Sequence, residues 1–347
     1  MRKLSRREFL ILSGGAATAA AVGAAAGLGL LKTPAPLTET KTLTEVLTST
    51  LTETVKSTAT TTMLSSSSLV ESGKSLVSVV KGRDPAELVS RAVAMIGGLD
   101  SVVRPGAKVL VKPNVGFSQR DAATDPRVVA EVVRLVFEAG ASEVVVADSS
   151  VRGSDTSFNF QKTGLGQASE EAGAVVKDLR GDTATSVSVP LGRALDRIDV
   201  WDTVLKADAL ICVPKLKRHV DAEVTVSLKN MIGAVTDDGK GLMHRSGISQ
   251  AIADLNSVVK PDLVVVDALQ AMTRGGPTGG DMVSLETVIA SQDPVAADLI
   301  AAERLFEAER DPDPLQVARE VPHIQKAAAL GVGTNDPDRI SRLEREL

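Results

Sequence analysis

Lys215, Lys217 and His219 stand two residues apart in the stretch Pro214-Lys215-Leu216-Lys217-Arg218-His219, directly after the apolar run Leu210 to Val213. Ten residues past His219 come Lys229 and Asn230. If the stretch stays extended, alternation puts Lys215, Lys217 and His219 on one face and aims Arg218 elsewhere. Three cationic or protonatable groups on one face make a site for an anion, a carboxylate or a phosphate; the alternative is a loop whose lysines point into water. Lys112 and Asn114 flank Pro113 at the end of another apolar run and would bring an ammonium and an amide to the same anion. Against that stands a reading in which Asn114 is a turn residue and Lys112 lies along the surface.

The chemistry open to such groups is proton transfer. A lysine whose pKa is lowered by cationic neighbours serves as a base or forms a Schiff base. A histidine titrates in the range suited to acid–base work. Lys217, His219 and His244 are therefore the catalytic candidates, and Lys112, Asn114, Asp148, Lys215, Lys229 and Asn230 the substrate-binding ones. A divalent metal is a second option, held by His219, His244, Asp148 or Asp267, since imidazole and carboxylate suit such ions. No His-x-x-x-His spacing supports it. Gly275 to Asp281, "GGPTGGD", offers backbone N–H groups to an anion or is simply a turn. There is no Walker loop, dinucleotide fingerprint or Gly-x-Ser-x-Gly.

Those residues need a scaffold, and the apolar runs predict it. "SLVSVV", "AKVLV", "EVVVA", "ALICV" and "DLVVV" have the look of strands buried on both faces. Helical patterns lie among them: Val128, Val132, Leu135 and Val136, ending at Gly140; Ile248, Ile252 and Leu255; Val295, Leu299 and Leu305, with Asp293 as N-cap. A second stripe, Val224, Leu228, Met231 and Val235, predicts a helix carrying Lys229 and Asn230 on its other faces, while "DDGKGLMHRSG" around His244 reads as a Gly-rich mobile loop. Strands alternating with helices predict an α/β fold with a mainly parallel, doubly covered sheet in Rossmann-like layers, in one lobe or two. In such folds ligands bind beyond the carboxyl ends of the strands. Lys112-Pro113-Asn114, Asp148-Ser149-Ser150, the Lys215 stretch and Asp267 all follow apolar runs and would meet at that edge.

At these residues the sequence resembles a known family, the domain of unknown function numbered 362. The resemblance is carried by "VKPNVG" (Val111 to Gly116), "TDPRVVAEVV" (Thr124 to Val133), "VVVADSS" (Val144 to Ser150), "VPKLKRH" (Val213 to His219), "VSLKNMIG" (Val226 to Gly233), "GGPTGGD" and "ASQDPVAAD" (Ala290 to Asp298). It implies a fold and no settled reaction. Relatives fused to ferredoxin-type cysteine clusters imply redox roles beside an iron–sulfur protein. This chain has Cys212 as its one cysteine, which excludes an internal disulfide and a cysteine-ligated iron–sulfur cluster.

The ends carry a different message. Ser5-Arg6-Arg7-Glu8-Phe9-Leu10 followed by a soft Ala/Gly run looks like a twin-arginine signal over residues 1–31, cleaved or retained as an anchor. Residues 32–72 are rich in Thr and Ser and read as a disordered linker, leaving 73–347 as the α/β domain. The expected partners are the twin-arginine translocase and a small anion, the location extracytoplasmic, and membrane contact confined to the N-terminal segment. A net charge of −5 and 2% aromatics argue against nucleic acid. The readings for function are an exported enzyme of proton-transfer or isomerase type, a tethered binding protein for an anion or metal complex, and a redox protein partnering an iron–sulfur protein.

Overall fold

The strands form where apolar residues run without interruption, because each strand is covered on both sides. The computed structural model describes residues 73–347; the expected twin-arginine signal over 1–31 and the expected linker over 32–72 lie outside the described residues. In chain order the elements begin with β1 (Ser75–Lys81), α1 (Pro85–Met95), β2 (Lys108–Pro113), α2 (Pro126–Glu138), β3 (Glu143–Asp148), α3 (Thr156–Thr163), α4 (Leu165–Glu171) and β4 (Val175–Asp178). A two-stranded antiparallel ribbon, β5 (Ala184–Ser188) and β6 (Arg197–Trp201), precedes α5 (Asp202–Lys206) and β7 (Ala209–Val213). Then come β8 (Lys215–His219), β9 (Glu223–Thr225), α6 (Ser227–Asn230), α7 (Asp237–Arg245), α8 (Ile248–Val258), β10 (Leu263–Thr273) and β11 (Asp281–Ser291). The last elements are α9 (Pro294–Ala308), α10 (Pro314–Glu320), α11 (Pro322–Ala329) and β12 (Ile340–Glu346).

The main sheet runs β12-β1-β11-β10-β7-β2-β3-β4. Its neighbours are parallel except at β11, which is antiparallel to both β1 and β10. Alternation explains the double cover. Val109 and Val111 pack into one core with Val128, Val132 and Leu88, while Leu110 between them packs into the other. Likewise Leu210 and Cys212 meet Ile252, Leu255 and Leu299 on the far side, whereas Ile211 and Val213 face the first core. Cys212 is thus a small core residue. All described residues fall in one unit, so the open choice between one lobe and two resolves to one for them. None of the helices among the described residues is long and apolar enough to cross a membrane.

Asp-Pro pairs start three of the covering helices. Asp84, Asp125 and Asp293 each accept from the N–H two residues on, at 2.9 Å, and the following proline fits the first helical turn. The expected N-cap at Asp293 and the helix stop at Gly140, whose φ is +92°, are both seen.

Two local expectations are corrected. The stretch around His244 is helix α7 rather than a mobile loop. Thr236 Oγ1 accepts from Gly239 N at 3.1 Å, Asp237 and Asp238 occupy the first turn, and His244 and Arg245 the last. Capping and dipole charges outweigh the cost of two glycines. The stripe Val224, Leu228, Met231, Val235 is buried as expected, but it is divided among β9, α6 and a 3-10 turn, Met231–Ala234. β9 is claimed by pairing with β8, and a carboxylate from α9, Asp298, caps α6 at Ser227 and Leu228.

Candidate functional site

The site begins where β2 and β7 stop pairing. Their ladder ends at Pro113 opposite Val213. Just beyond it Thr124 enters from the loop before α2. Its hydroxyl donates to Val213 O at 2.7 Å and accepts from Asn114 N at 2.9 Å, taking the place of the next ladder bonds. The chain leaving β7 continues as β8 beside β10, with Lys215 opposite Asp267, and turns back as β9. A crevice of about 370 Å³ opens between these parting strand ends. Its polar wall includes Lys217, His219, Lys229, Asn230, His244 and Arg152, and its apolar wall includes Phe117, Val220, Ile232 and Pro277. The "GGPTGGD" stretch is the β10–β11 turn and delivers Pro277 to that wall. A side chain at Gly276 would meet Arg218 O at 1.9 Å, so the turn seats on β8 only as glycine.

Five lysines gather here, and their partners divide them. Lys112 Nζ donates to Asp148 Oδ1 at 2.6 Å, Lys215 Nζ to Asp267 Oδ2 at 3.0 Å, and Lys240 Nζ to Asp237 Oδ1 at 3.0 Å. Asp148 is also held by the N–H groups of Val115 and Ser149. Asp267 Oδ2 accepts from Asp125 N at 2.7 Å as well, so this pair pins the loop before α2 across the strand ends. These three lysines are structural cations. Among the described residues, Lys217 and Lys229 have no carboxylate partner. Lys217 Nζ donates to Asn114 Oδ1 at 3.0 Å and Ala122 O at 2.6 Å, and lies 5.6 Å from the centre of the Phe117 ring. Asn114 Nδ2 passes the chain on to Asn230 Oδ1 at 2.8 Å, and Asn230 Nδ2 ends it on Pro113 O at 3.2 Å.

Burial and mutual repulsion tune these groups. Burial, then the charges of Lys229 and Lys215, pushes Lys217 down to about 7. Burial pushes Lys229 down to about 8, with Lys112 adding to the fall and Asp221 opposing it. His219 is pushed down to about 3 by burial and by Lys229 and Lys217, so it is neutral at physiological pH. Its Nδ1 accepts from Asp221 N at 3.1 Å, which places the ring proton on Nε2. His244 is also lowered by burial and by Lys229. Behind the wall the third histidine, His323 of α11, is fully buried and held neutral, its pKa pushed down to about 3 by burial and Lys229.

The structure therefore brings Asn114, Asp148, Lys217, His219, Lys229, Asn230 and His244 to one cavity. Lys112, Lys215 and Asp267 are not on its wall, which corrects the expected anion site: the first two ammoniums are consumed by buried aspartates, and Asp267 by Lys215. The expected alternation along β8 holds, since Arg218 turns away to Glu309 at 3.1 Å and to the Phe306 ring. Asp267 does not join His219 and His244, and among the described residues no three His, Cys, Asp or Glu side chains gather as metal ligands. Sequence reasoning missed Arg152, Thr225, Lys240 and the capping role of Asp298. Lys240 carried a signal, three residues after Asp237 on a helix; Thr225 carried none until β9 was set in register with β8.

Residues 109–303 match the family described as Domain of unknown function (DUF362). The chain belongs to this family. A thylakoid-associated protein of Synechocystis sp. is 27% identical over 219 residues, covering 60% of this chain and 66% of that protein. Among solved structures, the lactate racemase apoprotein of Thermoanaerobacterium thermosaccharolyticum aligns with a TM-score of 0.43 at 14% identity, over 64% of this chain and 55% of that one. A Thermotoga maritima protein aligns with a TM-score of 0.42 at 12% identity, over 66% and 60%. The chain thus spans 55% to 66% of the lengths of these relatives.

Proposed function

We propose that this member of the family is an enzyme that binds a small organic acid, carboxylate or phosphate, and moves a proton on it. The observation that carries the reading is the pair of amines, Lys217 and Lys229, which face one cavity and, among the described residues, form no salt bridge, the charge of Asp221 acting on Lys229 without a direct contact. Lys229 and Arg152 hold the acid group. Lys217, with a pKa near neutrality, exchanges the proton, as suits a group poised at the working pH. His219 donates from Nε2 and is too weak a base to share that task. The hydrogen-bonded amides of Asn114 and Asn230 fix the position of the Lys217 amine.

The test is exchange of carbon-bound hydrogen into D2O, followed by NMR, for acids first found by thermal shift. Lys217→Met should abolish exchange while keeping binding. Lys229→Met should weaken binding about ten- to a hundredfold, the loss of one charge-assisted contact, and Arg218→Ala should change neither. The base must be unprotonated, so exchange should rise as pH passes about 7, where Lys217 gives up its proton. The anion needs a cation, so binding should fall above about 8, where Lys229 gives up its own. Binding without exchange at any pH would make the chain a receptor, and equal binding by Lys229→Met and Arg218→Ala would put the site elsewhere.

We also propose export by the twin-arginine translocase, supported by Arg6 and Arg7 and by the thylakoid association of a relative. Arg6→Lys with Arg7→Lys should hold the folded protein in the cytoplasm; unchanged export in cell fractionation would refute the assignment.

A further inference from the structure

Thr225 is 3% exposed, lines the crevice, and its hydroxyl has no hydrogen-bond partner among the described residues. It stands directly across from Lys217 in the β8–β9 ladder, and directly opposed residues share a face. The hydroxyl and the Lys217 amine therefore point to the same side. A buried hydroxyl left unpaired is costly, and a cavity wall is where a ligand repays it. The rest of the polar wall is rich in donors: the Lys229 amine and the Nε2–H of His219. The acceptors nearby are spoken for, because Asn114 Oδ1 takes Lys217, Asn230 Oδ1 takes Asn114, and Asp148 takes Lys112, Val115 N and Ser149 N. Among the described lining residues Asp221 is the carboxylate without a lysine or arginine partner, and its charge acts on Lys229.

We infer that Thr225 is a ligand contact and that the ligand is a small organic phosphate monoester. A dianion matches the surplus of positive charge, and a tetrahedral group of acceptor oxygens matches a wall of donors arriving from two strands and a helix. The organic part follows from size and lining. A crevice of about 370 Å³ holds roughly a dozen water volumes of ~30 Å³, several times what a bare phosphate needs, and Phe117 and Ile232 supply an apolar bed for the remainder. The inference rests on the anion-site reading above and narrows it.

Phenyl phosphate, benzoate and inorganic phosphate would be compared by calorimetry at pH 7 and constant ionic strength, with the wild type, Thr225→Val and Lys229→Met. Phenyl phosphate should bind at least about tenfold more tightly than either benzoate or inorganic phosphate, since benzoate lacks the second charge and phosphate the apolar body. Thr225→Val should weaken phenyl phosphate about ten- to a hundredfold, the loss of a hydrogen bond to a charged group. In the same variant the melting temperature without ligand should stay or rise, because an unpaired hydroxyl has been removed. A purely structural threonine would give the reverse pattern. Benzoate binding as tightly as phenyl phosphate, or full affinity in Thr225→Val, would overturn the inference and leave the anion site standing. Binding of all three probes unaffected by Lys229→Met, or absent altogether, would overturn both.

Discussion

Lys112→Ala should cost about 3 to 5 kcal/mol, the penalty for leaving a buried charge without its partner. Lys112 is fully buried and Asp148 nearly so, and their contact is 2.6 Å. Removing the ammonium leaves a carboxylate that keeps only the N–H groups of Val115 and Ser149. Urea denaturation reads the loss directly. Lys112→Met combined with Asp148→Asn should recover at least half of it, since the amide still accepts from a backbone donor and no charge is stranded. A double variant no more stable than Lys112→Ala would show that the pair is not what Lys112 contributes. Gly233 tests the same contact from outside. A Cβ there would lie 1.9 Å from Asp148 Oδ1 and 2.7 Å from Lys112 Nζ. Gly233→Ala should therefore push the pair apart and lose at least about 1 to 3 kcal/mol, the usual cost of overpacking.

Asp298→Ala should be comparably damaging. Its carboxyl accepts from Ser227 N at 2.8 Å, from Leu228 N at 3.0 Å and from the Ser227 hydroxyl, all buried. Each orphaned donor costs roughly 1 to 3 kcal/mol, and the helix that carries Lys229 loses its start. Burial raises the carboxyl from 3.8 to about 7 despite those donors. The folded state then binds its proton more tightly than the unfolded chain, so the stability this contributes is complete below about 3.8 and lost as pH climbs through 7. Asp298→Asn does not titrate. The gap in urea midpoint between wild type and Asp298→Asn should shift in favour of the asparagine between pH 4 and pH 8. A gap constant across that range would show that Asp298 does not titrate there.

The framework of this chain was legible because it depends on local pattern. Unbroken apolar runs such as Leu210 to Val213 make strands covered twice, and Asp-Pro steps begin helices. The face of β8 was legible for the same reason, since alternation along an extended strand is a property of the backbone. What each lysine does there was not. Lys112 and Lys215 look like Lys217 in sequence, yet their aspartates lie 36 and 52 residues away and meet them only in the folded sheet. An ammonium is structural or available according to that pairing, which no spacing rule encodes. β11 was hidden for another reason: its outer half is exposed to half-buried and mixes Met282, Val283 and Leu285 with polar residues, and the run that enters the core, Val288 to Ala290, is short. Helix α7 is hard to read from sequence because Gly239 and Gly241 mask the helical pattern that its Thr236 cap and first-turn aspartates support.

Thr124 gives the crevice a separate origin from its lysines. One hydroxyl bridges the two strands where their ladder stops, and the crevice lies beside the strand ends past that point. The side chains facing the opening decide what enters. Location and taste are therefore written in different residues, so the lining can be exchanged wholesale while the doorway persists. Members of one architecture can diverge in this way, keeping the hydroxyl wedge and rewriting the guests.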